Sequence, residues 1–195
     1  MDTPNITIVD EAIIFAVKAH SGQLRKGSKL PYIVHPMEAL TIASTMTDDY
    51  ELLAAAVLHD VIEDTDVTAE DIQKAFGDNV SRLVVAETAE RSTTQSRTES
   101  WKETKQYILD HLKHAPHDVK LVAMSDKLAN MRAIARDYSN LGDALWQRFH
   151  VTDMHLHAWY YHGLLEALED LSDTAPYQEF QRLFNQVFQN ALESE

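Results

Sequence analysis

Four side chains able to bind a cation or move a proton fall between positions 59 and 64 of this chain: His59, Asp60, Glu63 and Asp64. Glu63 follows His59 by one helical turn, and Asp64 follows Asp60 in the same way, so all four can share one helical face or its frayed end. They come directly after Leu52, Leu53, Ala54, Ala55, Ala56, Val57 and Leu58, a run that is apolar on nearly every side and reads as a buried central helix. A carboxylate delivered into a core is costly unless something compensates it. Two compensations are open to Asp60: an ion pair with a buried arginine or the cap of a neighbouring helix, and a bound cation. Three carboxylates crowded beside a histidine repel one another, and a metal ion resolves that repulsion directly.

Asp126 is a second acid out of place. Its segment carries Leu121, Met124, Leu128 and Met131 on one apolar stripe, with Val119 and Val122 adding another. Asp126 falls beside this surface, in line with Val122 and Asn130. A salt bridge to Lys127 or Arg132 would explain it, and so would ligation of a metal. Asn130, one turn on, is suited to hold a substrate hydroxyl or orient water. His35 opens a helix after the apolar entry Tyr32, Ile33 and Val34. Alone it reads as a packed or capping residue; with His59, Asp60 and Asp126 it completes a set of two imidazoles and two carboxylates. Such a set, without thiolate, suits a six-coordinate hard or borderline ion: Mn²⁺ first, with Mg²⁺, Fe²⁺ or Zn²⁺ behind it.

The chain has no cysteine, so disulfides and thiolate sites are excluded. A formal net charge of −14 argues against general nucleic-acid binding but not against a small anionic substrate. Basic residues cluster at Arg25, Lys26 and Lys29, at Arg97, Lys102 and Lys105, and at Lys127, Arg132 and Arg136. No apolar run approaches the length of a membrane span, and Met1 to Val9 show no basic-then-apolar leader. The expectation is a cytoplasmic enzyme, with no membrane or nucleic-acid partner and a homo-oligomer left open.

The elements that must position these residues are helical, since Ala, Leu, Glu, Gln and Lys recur and strand alternation is scarce. One all-α domain over 1–195 is expected, a bundle of eight or nine helices. Asp10 caps the first helix, which ends before Gly22; a polar basic loop runs to Pro31. Pro36 suits the first turn of the helix begun at His35. Asp48 or Asp49 starts the apolar helix. Thr68, with Asp71 three residues on, makes a capping box, and Gly77-Asp78 breaks that helix before another over Asn79–Thr88. Residues Ala89 to Thr98 read as a mobile polar loop. Helices follow at Glu99–His114, Asp118–Asp137, Asp143–Leu171 and Pro176–Glu193.

Three local motifs carry a resemblance. They are Ala19-His20-Ser21-Gly22-Gln23 with Arg25-Lys26 and Pro31-Tyr32-Ile33-Val34-His35-Pro36; His59-Asp60-Val61-Ile62-Glu63-Asp64-Thr65; and Asp126-Lys127-Leu128-Ala129-Asn130-Met131-Arg132. Their order resembles the HD superfamily of metal-dependent phosphohydrolases. More narrowly, it is similar to the hydrolase domain of RelA/SpoT proteins and to the stand-alone small alarmone hydrolases. The motif-bearing core is 11–137, the C-terminal helices 143–193 add a weaker echo in Trp159-Tyr160-Tyr161, and the expectation is a hydrolase-only member without a synthetase domain or regulatory tail.

The resemblance implies an all-α HD-type bundle with one Mn²⁺, and removal of the 3′-pyrophosphate of guanosine tetra- or pentaphosphate to leave GDP or GTP. Position by position it implies His35, His59, Asp60 and Asp126 as metal ligands. It puts Glu63 and Asp64 around the attacking water and Asn130 on the nucleotide. Arg25 would stack on the purine and Lys26 would lie near the phosphates. Apart from the resemblance, the basic charge of Lys102 or Lys105 suits the phosphate chain. Two departures touch the substrate side: Ala133 stands where many relatives have Thr, and Ala89-Glu90 follow Thr88 where an aspartate is common. The alternatives are a related enzyme for a nucleoside monophosphate or NADPH, and a helical binding module without catalysis. The histidines at 111, 114, 117, 150, 155, 157 and 162 read as surface or capping residues, and at least two of Trp159, Tyr160 and Tyr161 as packing.

Overall fold

The computed structural model describes residues 6–88 and 97–192, with the side chains of 97–100 and 190–192 left aside. The expected mobile loop therefore lies almost wholly outside the described residues, as do the departures at Ala89 and Glu90. Among the described residues there are nine α-helices, two 3₁₀ segments and no strand; one isolated bridge pairs Leu24 with Pro31. No helix among them is long and apolar enough to cross a membrane.

Two compact units share the chain. The first contains Met1–Thr88 and His117–Ala129. Its helices are α1 (Thr7–Ala19), α2 (Val34–Ala43), α3 (Tyr50–Leu58), α4 (Val61–Asp64), α5 (Ala69–Glu87) and the opening turns of α7 (His117–Leu141). α3 is the centre of this unit, with α1, α2 and α5 packed against it. Every residue from Leu52 to Leu58 is buried, and the three alanines are fully so, as an all-apolar helix requires. Asp49 caps α3 by accepting from the backbone N–H of Glu51 and Leu52. Thr68 and Asp71 form the expected capping box on α5.

Gly77 kinks α5 without ending it. Its φ of 88° is a backbone state that an L side chain enters only with strain, so the break foreseen there becomes a bend between two helical halves. Asp10 is not a cap: α1 begins at Thr7, and Asp10 sits in its first turn, where a negative charge still favours the helix N-terminus.

The second unit contains Ala89–Pro116 and Asn130–Glu195. It holds α6 (Arg97–His114), the later turns of α7, α8 (Met154–Ala167) and α9 (Ala175–Leu192). α8 packs against α6 and α9, and Gly163 lets the Leu109 side chain approach closely. The span Asp143–Leu171 is not one helix. A 3₁₀ segment covers Gly142–Arg148, α8 starts afresh from an Asp153 cap, and a second 3₁₀ turn covers Glu169–Leu171. Phe180, Phe184 and Phe188 on α9 are fully buried, as are Leu164 and Leu168 at the end of α8.

His157 is a core residue rather than a surface one. It is buried against Trp101, Trp146 and Phe149, with Nε2 against the Val151 carbonyl oxygen at 2.7 Å. Tyr160 and Tyr161 are buried packing residues, while Trp159 is half-buried.

Candidate metal centre

The geometry of the first unit turns four side chains toward one point. His59 is the residue at which α3 ends, Asp60 the one from which α4 starts, His35 lies in the first turn of α2, and Asp126 lies on α7. His35 Nε2 is 3.3 Å from Asp60 Oδ2 and 3.0 Å from Asp126 Oδ1. His59 Nε2 is 3.0 Å from Asp60 Oδ2 and 3.4 Å from Asp126 Oδ1. The two Nε2 atoms are 3.2 Å apart. Donors about 2.1 Å from one ion lie roughly 3 Å from their neighbours in its shell, so the spacing is that of adjacent ligands. His35, His59 and Asp126 form a group able to hold a metal ion, all three buried.

The chemistry of the donors fits. His59 Nδ1 is 2.8 Å from the Ala56 carbonyl oxygen, which can only accept, so Nδ1 carries a hydrogen. In the neutral ring that leaves the Nε2 lone pair facing the cluster, the form a metal needs. His35 Nδ1 is buried with no hydrogen-bond partner, so no such bond sets its tautomer.

Electrostatics follow from the crowding. Burial would depress the His59 pKa, but the Asp60 and Asp126 carboxylates outweigh it and hold the imidazole well above its usual range. Burial would raise both aspartates. For Asp60 the contacts to His59 and His35 win, and it falls far below the carboxylate range. For Asp126 the Lys127 ammonium acts first, then the two histidines, and it too falls well below.

A proton on His59 and a metal ion thus compete for one negative pocket. The expected result is that Mn²⁺ binding releases a proton, because ligation needs the neutral ring. Affinity should climb with pH from the ordinary histidine range upward, by about tenfold per unit while one proton is displaced. It should level off once the raised His59 pKa is passed. Calorimetric titrations at stepped pH measure this; a flat affinity would separate His59 from the cation.

Of the two readings of Asp126, the structure shows the ion pair with Lys127, in which Oδ2 accepts from Lys127 Nζ, and it leaves the other carboxylate oxygen, Oδ1, toward the histidines. Arg132 instead pairs with Glu179 through two bonds of 2.8 and 2.7 Å. Beside the two histidines, Asp60 is met by a phenol. Tyr32 Oη lies 2.6 Å from Asp60 Oδ2 and 2.7 Å from Asp64 Oδ2. Burial and those two carboxylates hold the phenol far above its usual pKa, so it stays a donor.

Tyr32 is a residue that sequence reasoning quoted in a motif and gave no role. Its ring packs at a tilt against buried His20, whose Nδ1 is 2.9 Å from Gln23 Oε1, and Gln23 Nε2 donates to the Asp64 backbone oxygen at 2.8 Å. The Ala19–Gln23 motif therefore clasps the end of α4. Tyr32→Phe is expected to lower turnover about 10- to 100-fold, the usual effect of losing an outer-shell partner. Steady-state kinetics beside Mn²⁺ affinity would check it, and unchanged kcat would remove the role.

Glu63 and Asp64 are exposed and line a cleft of about 990 Å³ with Gln23, Thr65 and Lys74. His35, His59 and Asp126 are thus buried and Asp60 partly so, while Glu63 and Asp64 are open to solvent. The Arg25 guanidinium lies 5.6 Å from the Tyr32 ring centroid, and Lys26 is exposed on the same loop.

The remaining expected contacts belong to the second unit. Lys102 Nζ lies over Trp159 at 5.4 Å, and Lys105 Nζ over Tyr160 at 4.6 Å and Trp101 at 5.9 Å. Asn130 is half-buried, one turn beyond Asp126 along α7.

Glu87 was not singled out from sequence. It is buried at the end of α5, with Oε2 3.6 Å from Lys127 Nζ. Burial raises its pKa and Lys127 opposes that rise. A signal existed: Val80, Leu83, Val84 and Glu87 follow helical spacing, so the acid had to join a buried face.

Comparison with known proteins agrees with this geometry. The HD domain family model matches residues 12–149. The guanosine-3′,5′-bis(diphosphate) 3′-pyrophosphohydrolase MESH1 of Danio rerio is 34% identical over 139 residues, which is 70% of this chain and 74% of that protein. The human MESH1 is 37% identical over 130 residues, 65% of this chain and 69% of that one. A solved metazoan orthologue of SpoT that hydrolyses ppGpp superposes with a TM-score of 0.73 at 25% identity, covering 95% of this chain and 98% of its own. The Listeria monocytogenes protein lmo0812 superposes with a TM-score of 0.70 at 28% identity, covering 80% and 99%. With its family model spanning most of the chain and its acids and imidazoles gathered as described, this protein belongs to the HD domain family.

Proposed function

We propose that this protein is a Mn²⁺-dependent pyrophosphohydrolase of guanosine tetra- and pentaphosphate, releasing pyrophosphate and GDP or GTP. The observation that carries the reading is the convergence of His35, His59, Asp60 and Asp126, with donors 3.0 to 3.4 Å apart, beside the exposed Glu63–Asp64 pair. Relatives named for this reaction support the choice of substrate.

In this reading His35, His59, Asp60 and Asp126 hold the ion. A divalent cation there supplies Lewis acidity and offsets charge on a phosphoryl group. Tyr32 keeps Asp60 and Asp64 in register. Glu63 takes a proton from the attacking water as its oxygen bonds to phosphorus, and Asp64 orients that water; the bond from phosphorus to the ribose 3′ oxygen breaks, and that oxygen ends protonated. Arg25 offers a planar, weakly hydrated cation for stacking on the purine, and Lys26 a charge for phosphate. Asn130 is a proposed nucleotide contact on the resemblance alone, and Lys102 and Lys105 are proposed on their charge.

The test is product analysis after incubating the purified protein with Mn²⁺ and guanosine tetraphosphate. GDP with pyrophosphate in equal amounts is the expected result. Orthophosphate release, or turnover confined to NADPH or a nucleoside monophosphate, would overturn the substrate. Inertness on every nucleotide, with no bound ion by metal analysis, would make the protein a helical binding module.

A further inference from the structure

Behind Asp126 lies a buried charge pair that metal ligation alone does not explain. Lys127 sets its ammonium against Asp126 Oδ2, on the carboxylate whose other oxygen faces the histidines. Such a cation competes with a metal ion for the charge of Asp126. The Lys127 side chain is only 15% exposed, so water screens this competition weakly. Glu87, 5% exposed, meets the same ammonium at 3.6 Å. Glu87 Oε1 is buried without a hydrogen-bond partner, so a carboxylate has been kept where it costs stability.

We propose that Glu87 is a positioning residue for the metal centre: it draws on the Lys127 ammonium and restores the negative charge that Lys127 removes from Asp126. This inference rests on the reading of His35, His59, Asp60 and Asp126 as ligands. With Glu87 ionised, the group Asp60, Asp126, Glu87 and Lys127 balances a divalent cation in charge. Without Glu87 it falls one charge short, and the Lys127 ammonium weighs more heavily on Asp126. Glu87 acts through Lys127 and is not itself a ligand.

The experiment is titration of Mn²⁺ into metal-free protein, with free ion followed by electron paramagnetic resonance and folding checked by circular dichroism. Wild type, E87Q and the paired variant E87Q/K127Q are compared. E87Q is expected to bind Mn²⁺ about tenfold more weakly, the scale of an outer-shell loss. E87Q/K127Q, which removes both charges, is expected to return to within about threefold of wild type, since coupled groups do not add. A role confined to anchoring α5 would leave affinity unmoved in E87Q or would leave the paired variant as weak as the single one; either result overturns the proposal.

Should E87Q fail to fold, the paired variant leaves no lone buried charge and still decides the matter. An affinity more than about tenfold below wild type in it also overturns the idea. Wild-type protein that takes up no divalent ion would instead overturn the ligand reading from which the inference starts.

Discussion

Asp60→Ala should emerge from purification without bound metal and with turnover reduced by roughly 10³-fold or more, since the ion supplies several kcal/mol of barrier lowering. The carboxylate is central: its Oδ2 meets His35, His59 and Tyr32 at 3.3, 3.0 and 2.6 Å. Losing it removes one ligand and also the charge that favours a cation there. The fold is expected to survive, because a buried charge leaves and repulsion with Asp126 is relieved. A thermal comparison separates the two effects. Wild-type protein should gain stability from Mn²⁺, about 2.7 kcal/mol at a hundred times Kd, and the variant should gain nothing. A variant that still melts later with Mn²⁺ would move the metal elsewhere.

Glu63→Gln should part chemistry from metal binding. The side chain is exposed beside the cleft. Mn²⁺ affinity and melting temperature should therefore stay near wild type while kcat falls by about 10² to 10⁴, the worth of a positioned proton acceptor. A loss expressed in KM alone would make Glu63 a binding residue, and unaltered turnover would pass the role to Asp64.

Much of the centre was legible because charged residues interrupt otherwise regular apolar patterns. His59 and Asp60 end a helix with no polar face, and Asp126 breaks into a buried stripe; the structure turns both toward His35. The pairing of these sites was less legible than their burial. Nothing in local spacing tells that Tyr32 reaches Asp60 and Asp64, since those contacts close across about thirty residues. Glu87 lay on a readable apolar face, yet its partner Lys127 comes from another helix.

Element ends were the weaker part. Helix-forming composition over Asp143–Leu171 hid the restart at Asp153, although an aspartate after β-branched Val151 and Thr152 is a fair cap signal. The same habit made His157 a surface residue, when its ring fills the space among Trp101, Trp146 and Phe149.

The enclosure of α3 reaches beyond stability. A helix with neighbours on all sides offers evolution no free margin, since even a methyl group gained or lost there is felt. Substitution costs least on solvent-facing helix positions away from the motifs, such as Glu70 and Gln73 on α5. The clustered acids and imidazoles therefore hang from a helix whose own side chains have almost no room to change.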